Sequence, residues 1–201
     1  MSDAASWDER YGSGGFAFGA APNRYLEAQA ARLQPGMRAL AIGDGEGRNG
    51  VWLAEHRLSV TSVDWSATGL AKASALANAR GVRIQTVVAD LVTWNWPVEA
   101  FDLVAWIFVH LPPADRAVVV ARAAAALAPG GLLVLEGFTA AQEGRRSGGP
   151  RDAELLWSAA LVREGFAGLE LLECLEGTVL LDEGPKHQGH AEIVRALLRK
   201  R

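Results

Sequence analysis

The stretch Arg38–Gly50, RALAIGDGEGRNG, decides how the chain is read. Arg38 to Ile42 is a short apolar run bounded by glycine, the mark of a buried strand. Gly43, Gly45 and Gly47 follow at alternate positions, and Asn49–His56 then shows helical spacing through Val51, Leu53 and Ala54. Glycines stand where the backbone must turn tightly and let a ligand touch the main chain. Asp64, 21 residues after Gly43, closes a second, β-branched run from Leu58 to Val63. A carboxylate in that place can accept both hydroxyl protons of a ribose. Loop and acid together predict a nucleoside bound over the carboxyl ends of the strands.

The alternation continues outward. Ser66 is the expected N-cap of a helix running to Arg80, with Gly81 in the left-handed position after it. Val82–Val88 and Phe101–Ile107 read as the third and fourth strands. Pro113 opens an Ala-rich helix that ends before Pro129-Gly130-Gly131, and Leu132–Glu136 is the fifth strand. Such repetition predicts right-handed crossovers and an α/β, Rossmann-like, doubly wound sheet with helices on both faces. A helix is expected around Asp152–Glu164. Leu169–Leu181 and Ala191–Leu198 are two more extended segments, joined by only 8 residues, Asp182–Gly189. That link is too short for a crossover helix, so the pair should run antiparallel. Gly144–Pro150, GRRSGGP, is the expected mobile loop.

Composition narrows the function classes. With 201 residues, half of them hydrophobic, the chain has the length of one domain at ~150 residues per domain. It should bury roughly 70% of its unfolded surface and needs no staple. The single cysteine, Cys174, leaves no internal disulfide and fits a reducing cytoplasm. Twenty basic residues against 23 acidic ones give a net charge of −3, and no basic stripe runs along the sequence, so a nucleic-acid partner is disfavoured. The opening MSDAASWDER carries acids where a signal peptide would be positive, and no apolar stretch approaches the ~20 residues of a membrane span. A soluble cytoplasmic protein without a membrane partner is expected.

Which nucleoside follows from charge. Gly45-x-Gly47-x-x-Gly50 satisfies the dinucleotide fingerprint, so an NAD(P)-dependent oxidoreductase is the alternative. A dinucleotide would present a doubly negative pyrophosphate to a loop holding Asp44 and Glu46. S-adenosylmethionine (SAM) presents an ammonium and a sulfonium instead, and acids suit it better. A reductase would also need a catalytic Tyr/Lys pair or a second substrate domain, whereas the only tyrosines, Tyr11 and Tyr25, precede the nucleotide fold. A SAM-binding module without turnover is the other rival.

RALAIGDGEGRNGVWLA, Val63-Asp64, Val88-Ala89-Asp90, FDLVAWIFVHLPP and LAPGGLLVLEGF stand in the order of class I SAM-dependent methyltransferases, which the chain resembles from about Trp7 to Arg199. WDERYGSGGFAFGAAPNRYL, the GEGRN loop and EGPKHQGHAEIV are similar to tellurite-resistance and thiopurine-type small-molecule methyltransferases. The resemblance implies seven strands, mostly parallel with an antiparallel C-terminal hairpin. It implies a single methyltransferase domain over residues 35–201 and a helical lid over residues 1–34. It also implies that Gly43, Gly45 and Gly47 line the methionine end of SAM, that Asp64 holds the ribose and that Trp65 packs on the adenine. Asp90 would accept from the adenine amino group beside Leu91, Ile107 would help close the site around the sulfonium, and Asn49 joins this cofactor set. Ala41 stands where an acid is usual, and Asp44 is expected to take over contact with the ammonium. Trp106–Val109 replaces the D/N-P-P-Y/F motif of enzymes acting on nucleobase amino groups, which excludes that subclass.

Methyl transfer is an in-line displacement in which positioning contributes ~7–11 kcal/mol, against roughly 3–5 kcal/mol for a general base. The resemblance implies a thiol or chalcogenide as the first-choice acceptor, with oxygen and nitrogen open, and such a nucleophile, ionised near pH 7, would need no strong base. His110, just after the fourth strand, is the candidate base. Trp7, Tyr11, Phe16, Phe18 and Tyr25 form a cation–π lid or pack the N-terminal segment, both readings standing. Trp7, Tyr11, Phe18 and His187 are the candidate substrate contacts. No metal is expected, because His187 and His190 lack a third ligand.

Overall fold

A computed structural model describes residues 4–201. Seven strands form one mixed sheet, in the order β3-β2-β1-β4-β5-β7-β6. They are β1 (Arg38–Ile42), β2 (Ser59–Asp64), β3 (Gln85–Val88), β4 (Phe101–Ile107), β5 (Leu127–Phe138), β6 (Glu170–Asp182) and β7 (Gln188–Arg199). The helices are α1 (Ala4–Gly12), α2 (Arg24–Glu27), α3 (Arg48–Glu55), α4 (Ala67–Ala79), α5 (Pro113–Ala126) and α6 (Ala159–Gly165). The chain divides into two compact units, one ending at Trp94 but including Glu183–Lys186, the other comprising Asn95–Asp182 and His187–Arg201.

In the first unit β1, β2 and β3 pair in parallel, with Ile42 opposite Val63 and Asp64 opposite Val88. Ala39 to Ile42 are all buried, as a strand covered on both faces requires. Ser66 caps α4, its Oγ accepting from the Gly69 N–H at 2.9 Å, and Gly81 takes φ 70° after the helix. Both positions match the sequence reading, because each depends on local chemistry alone.

In the second unit β4 and β5 are parallel, β7 runs antiparallel to β5, and β6 pairs with β7 from Glu170 opposite Arg199 to Asp182 opposite Gln188. Fully buried Trp106 anchors this unit edge-on to Trp157 and Phe166, at centroid distances of 5.4 and 6.1 Å. Both indole N–H groups of Trp106 and Trp157 donate to the Val109 carbonyl, at 3.0 and 3.1 Å.

Two expectations are corrected. The helix expected over Asp152–Glu164 is a single 3₁₀ turn at Ala153–Leu155 followed by α6. Two caps split it: the Asp152 carboxylate accepts from the Glu154 N–H, and Ser158 Oγ from the Leu161 N–H. Between them the Trp157 N–H donates to the Phe138 carbonyl at 2.8 Å, holding the chain extended. The last strand starts at Gln188 rather than Ala191, so the hairpin tip is shorter than the eight-residue link. The glycine-rich segment after Gly144 makes three side-chain hydrogen bonds. Gln142 Nε2 donates to Ser147 Oγ and to the Gly148 carbonyl at 2.9 Å, and Ser147 Oγ donates to the His190 carbonyl at 2.7 Å. No helix among the described residues is long and apolar enough to cross a membrane.

Candidate active site

The glycine loop leaves β1 through three left-handed residues, Gly43, Gly45 and Gly47, with φ 55°, 53° and 85°. Those angles are strained for any residue with a Cβ. Asp64, at the end of β2, is buried against this loop. Its Oδ2 accepts from the Gly45 N–H at 2.9 Å and its Oδ1 from the Ser66 N–H at 2.8 Å. Desolvation raises its pKa to about 6 against the pull of those two bonds, with the Asp44 and Asp8 charges adding to the rise. An ionised carboxylate has about four acceptor positions, so capacity remains for two further hydroxyl donors.

Asp44 faces into the protein. Its Oδ1 accepts from the Gly50 N–H at 3.1 Å and its Oδ2 from Ser62 Oγ at 2.6 Å. Burial raises its pKa, opposed by those bonds and by the Arg48 charge. An ammonium contact would have to share a carboxylate already held by two donors. Glu46 accepts from the Ala17 N–H at 2.7 Å and pairs with Lys72 at 2.8 Å. Lys72 thus offsets Glu46, and the loop's negative character comes from Asp44 and Asp64.

The N-terminal segment packs on the same loop. The Asp8 carboxylate accepts from Ser66 Oγ and from the Thr68 N–H, at 2.5 and 3.0 Å, which lowers its pKa. Tyr11 is buried, and its hydroxyl lies 2.4 Å from where a Cβ on Gly45 would sit, so only glycine permits the approach. Burial raises the pKa of its phenol, and the Asp64 and Glu46 charges add to the rise. Trp7, Tyr11 and Phe18 meet, with ring centroids 5.3 to 6.4 Å apart. Trp65 follows Asp64 and is half-buried; Leu91 is buried; Asp90 is exposed and accepts from the Val92 N–H at 2.7 Å. Asn49 is buried, and its Oδ1 accepts from the Asn23 N–H at 2.9 Å.

In the second unit Ile107 ends β4. Phe108 follows with φ 54°, an outlier for an aromatic residue, fixed by its N–H donating to the Glu136 carbonyl at 2.7 Å. His110 Nδ1 lies 3.1 Å from the Leu155 carbonyl, so that nitrogen carries the proton, and the Phe138 N–H donates to Nε2 at 3.4 Å. Desolvation lowers its pKa to about 4, and the neighbouring Arg116 charge acts the same way. The ring is therefore neutral at pH 7. Buried His187 packs on Phe108 and Phe138, at centroid distances of 4.5 and 5.6 Å.

Glu183, buried in the hairpin tip, went unnoticed in the sequence. Its Oε2 pairs with Arg48 at 2.7 Å, and its Oε1 accepts from the Arg24 N–H at 3.0 Å and from Asn23 Nδ2 at 3.1 Å. It heads the EGPKHQGH run, and that was the signal available.

Residues 39–131 match a family model described as a methyltransferase domain. No curated protein matches the sequence. A structure described for the conversion of a disulfide bond into a thioacetal group during echinomycin biosynthesis is 20% identical, with TM-score 0.78, covering 98% of this chain and 92% of that one. The N-methyltransferase NodS from Bradyrhizobium japonicum, solved with S-adenosyl-L-homocysteine (SAH), is 19% identical, with TM-score 0.74 and coverages of 98% and 97%. TehB from Haemophilus influenzae is 17% identical, with TM-score 0.74 and coverages of 98% and 67%. At these identities the structures show a shared fold, while the domain match speaks for residues 39–131. Residues 39–131, just under half of the chain, are a methyltransferase domain, on a fold shared with NodS, which was solved with SAH.

Proposed function

We propose that the protein transfers a methyl group from SAM to a small molecule, on a soft nucleophile that ionises on its own, a thiolate or a selenium or tellurium anion. The observation that carries this reading is the state of His110. It is neutral, and both ring nitrogens face backbone groups, the Leu155 carbonyl and the Phe138 N–H. A side chain so held orients neighbours and takes up a proton poorly at pH 7. A nucleophile that arrives ionised needs no base, and positioning then supplies the larger share of the rate. The solved structure described for the conversion of a disulfide bond into a thioacetal group is in keeping with a sulfur acceptor.

SAM supplies the methyl group and a neutral leaving group. In the first unit, Asp64 would accept the ribose hydroxyls beside its bonds to Gly45 and Ser66, and the left-handed glycines would admit the methionine end to the backbone. Trp65 and Leu91 would flank the adenine and Asp90 its amino group. Tyr11, lying on Gly45, would shield that end from water.

Tritiated-methyl transfer to a panel of thiols, selenite, tellurite, phenols and amines tests the acceptor class. Label in the thiol or chalcogen fractions is expected; label confined to phenols or amines would overturn the class. Binding of SAM without transfer to any of them would instead establish a binding module. His110→Ala is expected to lower turnover roughly tenfold through misplacement, leaving SAM affinity and the shape of the pH–rate profile unchanged. Loss of an inflection near pH 4 would show that His110 acts as a base.

A further inference from the structure

We propose that Glu183 is a positioning residue for the cofactor: through Arg48 and Asn23 it fixes the start of α3 and the N-terminal segment against the glycine loop. The inference rests on the SAM-dependent reading and extends it to a residue of the C-terminal hairpin, 135 positions from its ion-pair partner.

Glu183 and Arg48 form an ion pair whose side chains are 2% and 8% exposed. Arg48 is the first residue of α3, directly after Gly47, whose left-handed turn caps that helix. Asn23 is wholly buried and works in three directions. Its Nδ2 donates to both Glu183 oxygens, its N–H donates to Asn49 Oδ1, and its Oδ1 accepts from the Leu26 N–H to cap α2. One carboxylate therefore gathers the hairpin tip, the N-terminal segment and the first turn of the helix that follows the loop.

The backbone is fitted to this contact. A Cβ on Gly184 would lie 2.3 Å from the Gly19 nitrogen, and one on Gly19 would lie 2.9 Å from the Glu183 carbonyl. The Lys186 N–H donates to the Ala17 carbonyl at 3.2 Å, and the Ala17 N–H donates in turn to Glu46 in the loop. The Arg48 charge also favours the ionised form of Asp44, which braces the loop against β2 and α3.

A buried ion pair is weak evidence for stability, because two ions were desolvated to make it, and apolar replacement of both is often neutral. Its worth here is geometric. That separates the two roles experimentally. Glu183→Gln strands the Arg48 charge, and is expected to weaken SAH binding at least tenfold by calorimetry. The double variant Arg48→Met/Glu183→Gln removes both charges. It is expected to recover thermal stability while SAH affinity stays at least fivefold below wild type. If affinity returns together with stability, the ion pair is structural only and the proposal falls. Should either variant fail to fold, Arg48→Lys keeps the charge and is expected to weaken SAH binding several-fold at an unchanged melting temperature; unchanged affinity overturns the proposal. In the wild type, SAH should protect residues 13–24 and 183–186 from proteolysis together. Protection of one without the other would also overturn it. A wild type that binds no SAH would overturn the cofactor reading as well.

Discussion

Gly50→Ala is expected to lower stability by about 2–4 kcal/mol and to abolish measurable SAM binding. Gly50 is the third residue of α3, where alanine should gain ~1 kcal/mol from helix propensity. The added methyl group, however, would lie 2.3 Å from both Asp44 Oδ2 and Ser62 Oγ. These atoms hydrogen-bond to each other at 2.6 Å, and the Gly50 N–H donates to the other Asp44 oxygen. Over-packing costs ~1–3 kcal/mol, and breaking a buried bond to a charged group costs ~1.5–3 kcal/mol. The losses outweigh the propensity gain. Urea unfolding and SAH calorimetry would measure both effects, with Gly168→Ala as the control, since a methyl group there meets nothing within 4 Å. A Gly50→Ala protein as stable as wild type would mean that Asp44 is not held as described.

Asp64→Ala is expected to weaken SAM binding by about 1–3 kcal/mol, by removing the acceptor for the ribose hydroxyls. The effect carries a pH signature. With its pKa raised to about 6, Asp64 is protonated in the unliganded fold below that pH. The ionised form is the one that accepts two hydroxyl protons, so wild-type affinity should fall about tenfold per pH unit below 6. The variant should show no such fall. Stability follows the opposite sign. A carboxyl whose folded pKa lies above its unfolded value binds an extra proton in the fold between about pH 4 and 6, so unfolding free energy declines as pH rises through that window. Calorimetry and urea midpoints from pH 4.5 to 8 would reveal both trends. A flat affinity profile for the wild type would show that the ribose is held elsewhere.

What the sequence made legible follows the range of the interaction concerned. Ser66, Gly81 and Pro113 act within their own turn, and each takes the place expected of it. The antiparallel hairpin followed from the length of its link. The direction in which a loop side chain turns is set by distant partners, and spacing is silent there. Asp44 turns inward because Ser62, 18 residues on, receives it. Glu46 is offset by Lys72, 26 residues on. His110 was found by its place after β4, yet its ring is oriented by the carbonyl of Leu155, 45 residues downstream. The failed helix at Asp152–Glu164 shows the converse. The caps are local, Asp152 two residues ahead of Glu154 and Ser158 three ahead of Leu161, but the break between them depends on the distant Phe138 carbonyl, which takes the Trp157 N–H.

Glu183–Lys186 belongs to the first unit although the second unit supplies the chain on either side of it. During synthesis, then, the amino-terminal half emerges with an arginine whose counter-charge has yet to be translated. Closures over so many positions are entropically slow. The nucleotide-binding half should complete its native form only after residues 183–186 have left the ribosome, and shortened products ending before residue 183 should accumulate as protease-sensitive species.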